Sequence, residues 1–266
     1  MAKHSRKGAS PVNTLAIETH GETQIVRLQR GKSNPMDAEL VDELREAIRE
    51  ANIDPDIRGL ILTGQPGFFS VGLDVKALYA YDREEMYDFW QALAALIAEL
   101  SASPKPWVAA INGHSPAGGC VLALCCDWRV MAEGKYKIGL NELPVGIVVP
   151  APIYALYAHV IGERRAHQYL LEGRLMPPQE AFACGLVDQV VPEAEVLATA
   201  QAQLNKYLAL NPKAFQKSKQ NLRAGLLQQL HAPFEPTFRS TLDHWWSPES
   251  RAAIAEMVER FSQKSG

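Results

Sequence analysis

The stretch from Trp107 to Asp127 has the sequence WVAAINGHSPAGGCVLALCCD. Its first five residues, Trp107–Ile111, are an unbroken apolar run, as is typical of a strand buried on both faces of a parallel sheet. Asn112-Gly113 ends that run, and Gly118-Gly119 then opens a short apolar helix. A buried strand followed by a glycine-rich loop and a helix indicates an α/β protein with a mostly parallel sheet.

The same alternation of strands and helices extends on both sides of this stretch. Upstream, the apolar periodicity predicts a hairpin, an amphipathic helix, a buried strand and a long helix, at Leu15–Glu18 with Gln24–Leu28, Asp37–Ala51, Gly59–Thr63 and Glu84–Leu100. Downstream, it predicts two strands and then mostly helices, at Asp127–Met131, Tyr136–Ile138, Pro150–Val160, Glu163–Leu171, Pro178–Ala183, Glu193–Leu208, Pro212–Leu227 and Pro248–Phe261.

The composition limits the class of protein. With 266 residues, 47% of them hydrophobic, the chain can bury one sizeable core. The 27 basic and 30 acidic residues nearly balance, so no strong field favours nucleic acid or an anionic membrane as a partner. The four cysteines lack the spacing of a disulfide framework or a zinc site, which predicts buried, reduced thiols in a cytoplasmic protein.

Residues 1–11 contain no apolar core, so we do not expect them to act as a secretory signal. We expect residues 1–13 to form a flexible tail. Lys3, Arg6 and Lys7 leave a mitochondrial targeting segment open, and no apolar run approaches the roughly 20 residues of a membrane helix.

Three glycine-rich or polar segments follow predicted strands: Phe69–Asp74 (FSVGLD), Ser115–Cys120 (SPAGGC) and Gly139–Glu142 (GLNE). Ligands of open parallel sheets gather at the loops beyond the carboxyl ends of the strands. Glycine lets the backbone approach a ligand there, and two N–H groups can stabilise an oxyanion. The second segment adds the N-terminus of a helix, whose free donors favour negative charge.

Each segment taken alone has a structural explanation. The Gly118-Gly119 pair can serve close packing of a helix on a strand, and Glu142 can be a solvated loop carboxylate. Asp74 has the position of a cap for the turn or helix that follows, and Asp127 also has a structural position. The chain lacks the glycine motifs of dinucleotide and phosphate sites and the Gly-x-Ser-x-Gly elbow, and the adjacent pair His114-Ser115 is poorly placed for nucleophilic catalysis.

Together and in this order, the three segments resemble those of the crotonase (enoyl-CoA hydratase/isomerase) superfamily, and the likeness extends over nearly the whole chain. The resemblance implies an α/β fold with a core spiral of repeated ββα units over residues 14–200. It also implies a C-terminal helical trimerisation region over residues 201–266, and a homotrimer or a dimer of trimers.

The resemblance implies how the site works. The backbone N–H groups of Leu73 and Gly118 form an oxyanion hole for a thioester carbonyl, and Glu142 is the catalytic acid and base. The implied substrate-binding residues are Ser70, Val71, Gly72, Leu73, Asp74, Gly118 and Asn141. An acyl-CoA thioester is the implied substrate, so that coenzyme A arrives as part of it, and no separate cofactor or metal is expected.

Two positions distinguish the reactions of this family. Its hydratases hold a water molecule with two glutamates, one three residues after the oxyanion glycine and one on the later strand. Here the first position is Val121 and the second is Glu142. A single carboxylate suffices to move a proton from C2 to C4 of a 3-enoyl-CoA, and the SPAGGC and GLNE segments are similar to those of mitochondrial-type Δ3,Δ2-enoyl-CoA isomerases. The resemblance therefore implies an isomerase of fatty-acid β-oxidation.

Two alternatives stay open at this point. A hydratase, hydrolase or lyase acting on acyl-CoA would need another residue to hold water, and an acidic side chain from Tyr81–Glu85 is the candidate. A non-catalytic acyl-CoA-binding protein is the other. In a eukaryote the resemblance implies the mitochondrial matrix instead of the cytoplasm.

The family resemblance also implies contacts between the protein and its ligand and between subunits. Coenzyme A is expected near residues 32–36, and three lysines of one predicted helix are either phosphate contacts or a solvated face, namely Lys213, Lys217 and Lys219. Trp245-Trp246 and Phe261 fit an apolar docking surface or, equally, an intramolecular core.

Overall fold

The structure is a computed structural model that describes residues 14–231 and 242–263. For residues 260–263 it describes the backbone alone. The predicted tail, residues 1–13, lies outside the described residues. Twelve strands are described: β1 Leu15–His20, β2 Thr23–Leu28, β3 Pro35–Met36, β4 Gly59–Thr63, β5 Gly67–Phe68, β6 Gly72–Leu73, β7 Trp107–Ile111, β8 Gly113–Pro116, β9 Trp128–Ala132, β10 Ile138–Gly139, β11 Leu175–Met176 and β12 Gln189–Val191.

The α-helices of the described residues are numbered in chain order. They are α1 Ala38–Ile53, α2 Val75–Tyr79, α3 Arg83–Ala102, α4 Gly118–Cys125, α5 Ala151–Ile161, α6 Glu163–Glu172, α7 Pro178–Ala183, α8 Val196–Leu208, α9 Pro212–Leu230 and α10 Pro248–Gln263. Short 3-10 turns at Leu143–Val145 and Glu193–Glu195 and a helical turn at 242–245 complete the description.

Two sheets and a strand pair carry the architecture. The large sheet has the order β1-β2-β4-β7-β9-β12, in which β1 and β2 form the predicted antiparallel hairpin and all other neighbours are parallel. The smaller sheet has the order β11-β10-β8-β5, and β3 pairs with β6. Three times, a strand of the large sheet is followed by a short strand of the smaller sheet and then by helix: β4 with β5, β7 with β8, and β9 with β10. The predicted repetition of ββα units is therefore present.

The central strands form where the apolar runs predict them. Every residue of β4 and of β7 is buried, because helices cover both faces of the sheet. On one face, α1, α3 and α4 build the main core, and on the other, α8 packs its apolar stripe on β4, β7 and β9. The predicted domain boundary after residue 200 falls within α8, and trimerisation through residues 201–266 stays a prediction.

Most predicted helices are present with ends shifted by a few residues. The helix predicted at Asp37–Ala51 is α1, which begins after Asp37 because the Asp37 carboxylate caps it by accepting from Leu40 N at 3.1 Å. The strand predicted at Tyr136–Ile138 is shorter, since pairing with β8 begins only at Ile138. The helix predicted at Glu193–Leu208 opens with a 3-10 turn before α8.

A buried cluster of ion pairs links α9 to the core. It shows that Lys219 has neither of the two roles predicted from the sequence. Lys219 is only 7% exposed, so it is neither a solvated residue nor a phosphate contact. Its Nζ lies 2.7 Å from Asp127 Oδ2, and Arg223 lies 3.1 Å from Asp127 Oδ1. Asp127 also accepts from Trp107 N at 2.8 Å, so its predicted structural role is confirmed. Lys213 and Lys217 are exposed.

Removal of the central carboxylate of this cluster is expected to destabilise the protein strongly. Asp127→Ala leaves the Lys219 ammonium buried without its partner, which costs about 3–5 kcal/mol in the free energy of unfolding. Urea denaturation checks this value. The control is Glu22→Ala, which breaks the more exposed Arg58–Glu22 pair of 2.8 Å and is expected to cost at most about 1 kcal/mol. Equal losses in the two variants would contradict the assignment of Asp127 as a structural anchor.

The structure also describes the cysteines, the length of the helices and the placement of possible metal ligands. All four cysteines are buried and free. Among the described residues, no helix is long and apolar enough to cross a membrane, and no group of three or more His, Cys, Asp or Glu side chains is placed to hold a metal ion. Trp245 is buried inside the chain, which settles its interpretation as intramolecular core, whereas the side chain of Phe261 lies outside the described part.

Candidate active site

The first candidate amide belongs to Leu73 on the short strand β6. Strand β6 pairs with β3 in parallel, with Met36 opposite Leu73, and Asp74 N donates to Met36 O at 2.8 Å. Successive backbone N–H groups of an extended strand point to opposite sides. The N–H group of Leu73 therefore points away from β3, toward the start of α4.

The second candidate amide is that of Gly118, the first residue of α4. Ala117 precedes it with φ of 48° and supplies no side-chain cap. The first hydrogen bond of the helix runs from Val121 N to Ala117 O at 3.1 Å, so the amides of Gly118 and Gly119 belong to the turn that has no partner within the helix. The Gly118 N–H group thus adds the positive end of the helix dipole to the site.

Close contact between Gly72 and Gly118 brings together the two segments that carry these candidate amides. A Cβ on Gly72 would lie 2.8 Å from Gly118 N and 2.9 Å from the Cβ of Ala117. A Cβ on Gly118 would lie 3.6 Å from the carbonyl carbon of Gly72, the atom bonded to Leu73 N. Only glycine allows this approach, and Gly72 also has a φ of +87°. A Cβ on Gly118 would also lie 2.3 Å from Cε of the Met36 side chain, so both glycines are sterically constrained.

A small apolar cavity of about 20 Å³ lies between Leu73, Gly118 and Glu142. The cavity is otherwise lined by apolar side chains, those of Met36, Trp90, Leu93, Val121, Leu122, Ile147, Pro150 and Ile153. Glu142 follows β10 and precedes the 3-10 turn Leu143–Val145, and its carbonyl oxygen accepts from Val145 N and Ile147 N at 3.1 and 2.9 Å. These two bonds fix the backbone from which the carboxyl group enters the cavity.

Burial changes the acidity of this carboxyl group. Glu142 is 9% exposed, and its Oε2 atom has no hydrogen-bond partner among the described residues. Desolvation of the charged form raises the pKa of Glu142 from its ordinary 4.5 to about 7, against a smaller opposing effect of its own backbone N–H. A carboxyl group with a pKa close to neutrality is suited both to accept and to return a proton near pH 7.

Val121, three residues after Gly118, lines the same cavity as Glu142 and is 2% exposed. Of the acidic residues proposed as an alternative water site, those in Tyr81–Glu85, two cap a helix and the third, Glu84, is exposed. Asp82 caps α3 by accepting from Glu84 N and Glu85 N at 2.9 Å, and Glu85 completes the capping box. None of them lines the cavity. Among the described residues, Glu142 is therefore the one carboxylate that faces this space.

The other predicted substrate-binding residues lie around the cavity but do not line it. Ser70 is fully buried, donates to Asn34 O at 2.7 Å and accepts from Gly72 N at 3.1 Å, so its side chain holds the loop. Asp74 caps α2 by accepting from Ala77 N at 3.0 Å and pairs with Arg30 at 2.7 Å. Asn141 makes no hydrogen bond with Glu142 within the described part of the chain. Contact of the substrate with these residues and with Val71 stays a prediction.

Sequence reasoning missed most of the apolar lining. Trp90 and Leu93 lie on the helix predicted at Glu84–Leu100; its apolar stripe indicates core packing, and both residues are buried. A stripe of this kind carries no signal that separates residues facing a cavity from residues facing packed neighbours. Ile147 and Pro150, in contrast, follow Glu142 so closely in sequence that their proximity to it was a usable indication.

Within the described part of the chain, the site combines the neighbouring segments that carry the candidate amides of Leu73 and Gly118, one carboxyl group of raised pKa and apolar walls. Such a site can hold a carbonyl oxygen, stabilise negative charge on it and move a proton at a neighbouring carbon without admitting bulk water. The spiral of ββα units and the placement of the three segments at its loops define a crotonase-type fold.

Comparison with known proteins agrees with this class. A profile of the enoyl-CoA hydratase/isomerase family matches residues 18–263, so the chain belongs to that family. It is 35% identical to the mitochondrial enoyl-CoA delta isomerase 1 of Mus musculus over 95% of this chain and 89% of the mouse protein.

Solved structures give the same relation. The crystal structure of human mitochondrial delta3-delta2-enoyl-CoA isomerase superposes with a TM-score of 0.92 at 31% identity, covering 96% of this chain and 100% of that one. An enoyl-CoA hydratase from Mycobacterium ulcerans superposes with a TM-score of 0.77 at 25% identity, covering 87% and 97% of the two chains. The chain is thus more similar to this isomerase than to this hydratase.

Proposed function

We propose that this protein is a Δ3,Δ2-enoyl-CoA isomerase that converts 3-enoyl-CoA to 2-trans-enoyl-CoA in fatty-acid β-oxidation. The observation that carries the proposal is the single carboxyl group of Glu142 in an apolar cavity that also contains Leu73 and Gly118, with Val121 where a second carboxylate would be needed for hydration. The likeness to named isomerases supports the same reaction.

In the proposed reaction, Glu142 removes a proton from C2 of the 3-enoyl thioester. The electron pair of that C–H bond forms a dienolate, whose negative charge lies on the thioester oxygen between the amides of Leu73 and Gly118. The same carboxyl group then returns the proton to C4, and the double bond moves to C2–C3. Each amide donor is worth about 10²–10³ in rate, and a positioned acid and base contributes about 10²–10⁴.

Hydration and isomerisation are separated by two assays on the same preparation. With 3-hexenoyl-CoA, formation of the conjugated thioester is followed by its ultraviolet absorbance. With crotonyl-CoA, loss of that absorbance reports water addition. The proposal predicts fast isomerisation and slow hydration; hydration at a rate comparable to isomerisation would overturn it. Binding of hexanoyl-CoA without turnover of either substrate would instead indicate a non-catalytic acyl-CoA-binding protein.

The pH dependence of kcat/KM is expected to report the raised pKa of Glu142. Only the ionised carboxylate can take the C2 proton, and desolvation keeps the carboxyl group protonated up to about pH 7. We therefore expect kcat/KM for 3-hexenoyl-CoA to fall about tenfold per pH unit below pH 7 and to level off above it. Rates measured from pH 5 to 9 test this. A profile that stays level down to pH 5 would exclude Glu142, with its buried environment, as the base.

The assembly and location are also proposals. We propose a homotrimer or a dimer of trimers, with residues 201–266 at the subunit contacts, on the basis of family resemblance; light scattering measures the mass. We propose the mitochondrial matrix in a eukaryote and the cytoplasm otherwise, in line with the mitochondrial location in the names of the relatives. Fractionation of the source cells tests the location. No cofactor beyond the coenzyme A of the substrate is proposed.

A further inference from the structure

A second apolar cavity lies next to the one that contains Glu142. Its volume is about 10 Å³, compared with about 20 Å³ for the first. Two side chains line both cavities, those of Trp90 and Ile147. The other described residues that line the second cavity are Gly146, Val148, Leu242, His244 and Trp245. Because Trp90 and Ile147 are shared, they form the partition between the two spaces.

The partition is built from buried and well-positioned groups. Trp90 and Ile147 are 7% and 8% exposed. The indole of Trp90 makes an edge contact with Phe89, with ring centroids 6.1 Å apart. Ile147 N donates to the carbonyl oxygen of Glu142 at 2.9 Å, so the position of Ile147 is tied directly to that of the carboxyl-bearing residue. The partition is therefore anchored beside the residue that carries the carboxyl group.

The direction of the acyl chain follows from polarity, provided that the proposed function holds. The thioester carbonyl lies between Leu73 and Gly118, and the large, polar coenzyme A must extend from the sulfur toward solvent. The carbons beyond C4 then extend the other way, into the apolar part of the cavity, where the Trp90–Ile147 partition stands. Burial of each additional methylene is worth roughly a fourfold gain in affinity as long as the chain finds apolar space.

We propose that Trp90 and Ile147 determine the acyl chain length that this enzyme accepts. Short chains end before this partition. A longer chain meets the indole and gains further affinity only where the partition is opened toward the second cavity, between Leu242 and Trp245. The structure thus assigns chain-length selection to one removable partition.

Trp90→Leu is the variant that opens the partition. The test measures kcat/KM for 3-hexenoyl-, 3-octenoyl-, 3-decenoyl- and 3-dodecenoyl-CoA. In Trp90→Leu, the ratio of the dodecenoyl to the hexenoyl value is expected to rise roughly tenfold or more over wild type, because two or more methylenes gain apolar surroundings. The double variant Trp90→Leu with Val148→Phe refills the second cavity and is expected to return the ratio toward the wild-type value.

Trp246→Leu serves as the matched control. Trp246 is also half-buried near the C-terminal helix, stacks with Arg83 and Arg251 at 5.4 and 4.9 Å, and lines neither of the two cavities. Its chain-length profile is expected to equal that of wild type. An equal shift in Trp246→Leu would mean that general loosening, and not the partition, changes the profile, and it would overturn the proposal.

Further outcomes separate this proposal from the proposed reaction. A wild-type enzyme that isomerises 3-hexenoyl-CoA while Trp90→Leu keeps the wild-type profile overturns the partition and leaves the isomerase intact. If wild type isomerises nothing, calorimetric binding of hexanoyl- and dodecanoyl-CoA tests the partition without turnover, with the same ratio expected and an unchanged ratio overturning it. If Trp90→Leu does not fold, Ile147→Ala opens the same partition from its other side and must shift the ratio in the same direction.

Discussion

Glu142→Gln is expected to lower kcat for isomerisation of 3-hexenoyl-CoA by about 10³-fold or more, while binding of a saturated acyl-CoA changes little. The amide cannot accept the C2 proton, and an acid and base in this position contributes about 10²–10⁴. No other carboxylate of the described residues lines the cavity, so none can replace it. Stopped-flow absorbance of the conjugated product gives kcat. A variant that keeps more than a tenth of the wild-type rate would remove Glu142 from the mechanism.

The matched control is Glu84→Gln, which carries the same substitution on an exposed residue at the start of α3. It lies in the segment considered as an alternative water site, and its rate is expected to equal that of wild type. A loss in Glu84→Gln similar to that in Glu142→Gln would move the acid and base to that segment.

Glu142→Gln is also expected to stabilise the protein at high pH. The folded-state pKa of Glu142 is raised by burial, so the native protein still holds this proton at a pH at which the unfolded chain has lost it. The cost of ionising the buried group is absent below pH 4.5, develops between pH 4.5 and about 7, and is complete above. The rise in the pKa of Glu142 corresponds to about 3 kcal/mol in the free energy of unfolding. Urea denaturation should therefore find the variant more stable than wild type by up to about 3 kcal/mol at pH 8, and the two proteins nearly equal in stability at pH 4.5. A variant less stable at pH 8 would contradict the buried environment.

Gly72→Ala is expected to lower kcat by about 10²–10³. The added Cβ would meet Gly118 N at 2.8 Å and the Cβ of Ala117 at 2.9 Å, so the two segments must move apart. That movement separates the amides of Leu73 and Gly118, and the dienolate loses at least one donor. Single-turnover kinetics with 3-hexenoyl-CoA measure the loss in the chemical step.

Gly185→Ala separates the effect of this contact from the effect of backbone strain. Gly185 has a φ of +83°, close to the +87° of Gly72, but a Cβ there would meet no atom within 4 Å. Both variants should lose about 1–2 kcal/mol of stability through the left-handed backbone, and only Gly72→Ala should lose activity. If Gly72→Ala retained the wild-type kcat, the proposed pair of amides would not be the site of charge stabilisation.

Prediction from the sequence was most successful for the strands and for the three glycine-rich or polar segments that follow them. The apolar runs GLILT and WVAAI predicted β4 and β7 with their observed bounds, because a strand buried on both faces needs apolar residues at every position. The cap at Asp74 and the structural role of Asp127 were also predictable, since a carboxylate next to free backbone amides has few other uses. The interpretation of Lys219 as solvated or phosphate-binding was wrong, because its burial depends on α9 packing beside Asp127, 92 residues earlier in the chain.

What the sequence determined by itself is local and compositional: the order of the elements, the family resemblance of the three segments, and the presence of Glu142 with Val121 at the position of a second acid. The tertiary structure decided which of these groups meet. The constraint on Gly72, the cavity around Glu142 and the shared partition of Trp90 and Ile147 all arise from contacts between segments distant in sequence. The physical reason is that the periodicity of a helix or strand indicates which of its faces is buried. Only the three-dimensional packing determines which residues that face contacts and where a cavity remains.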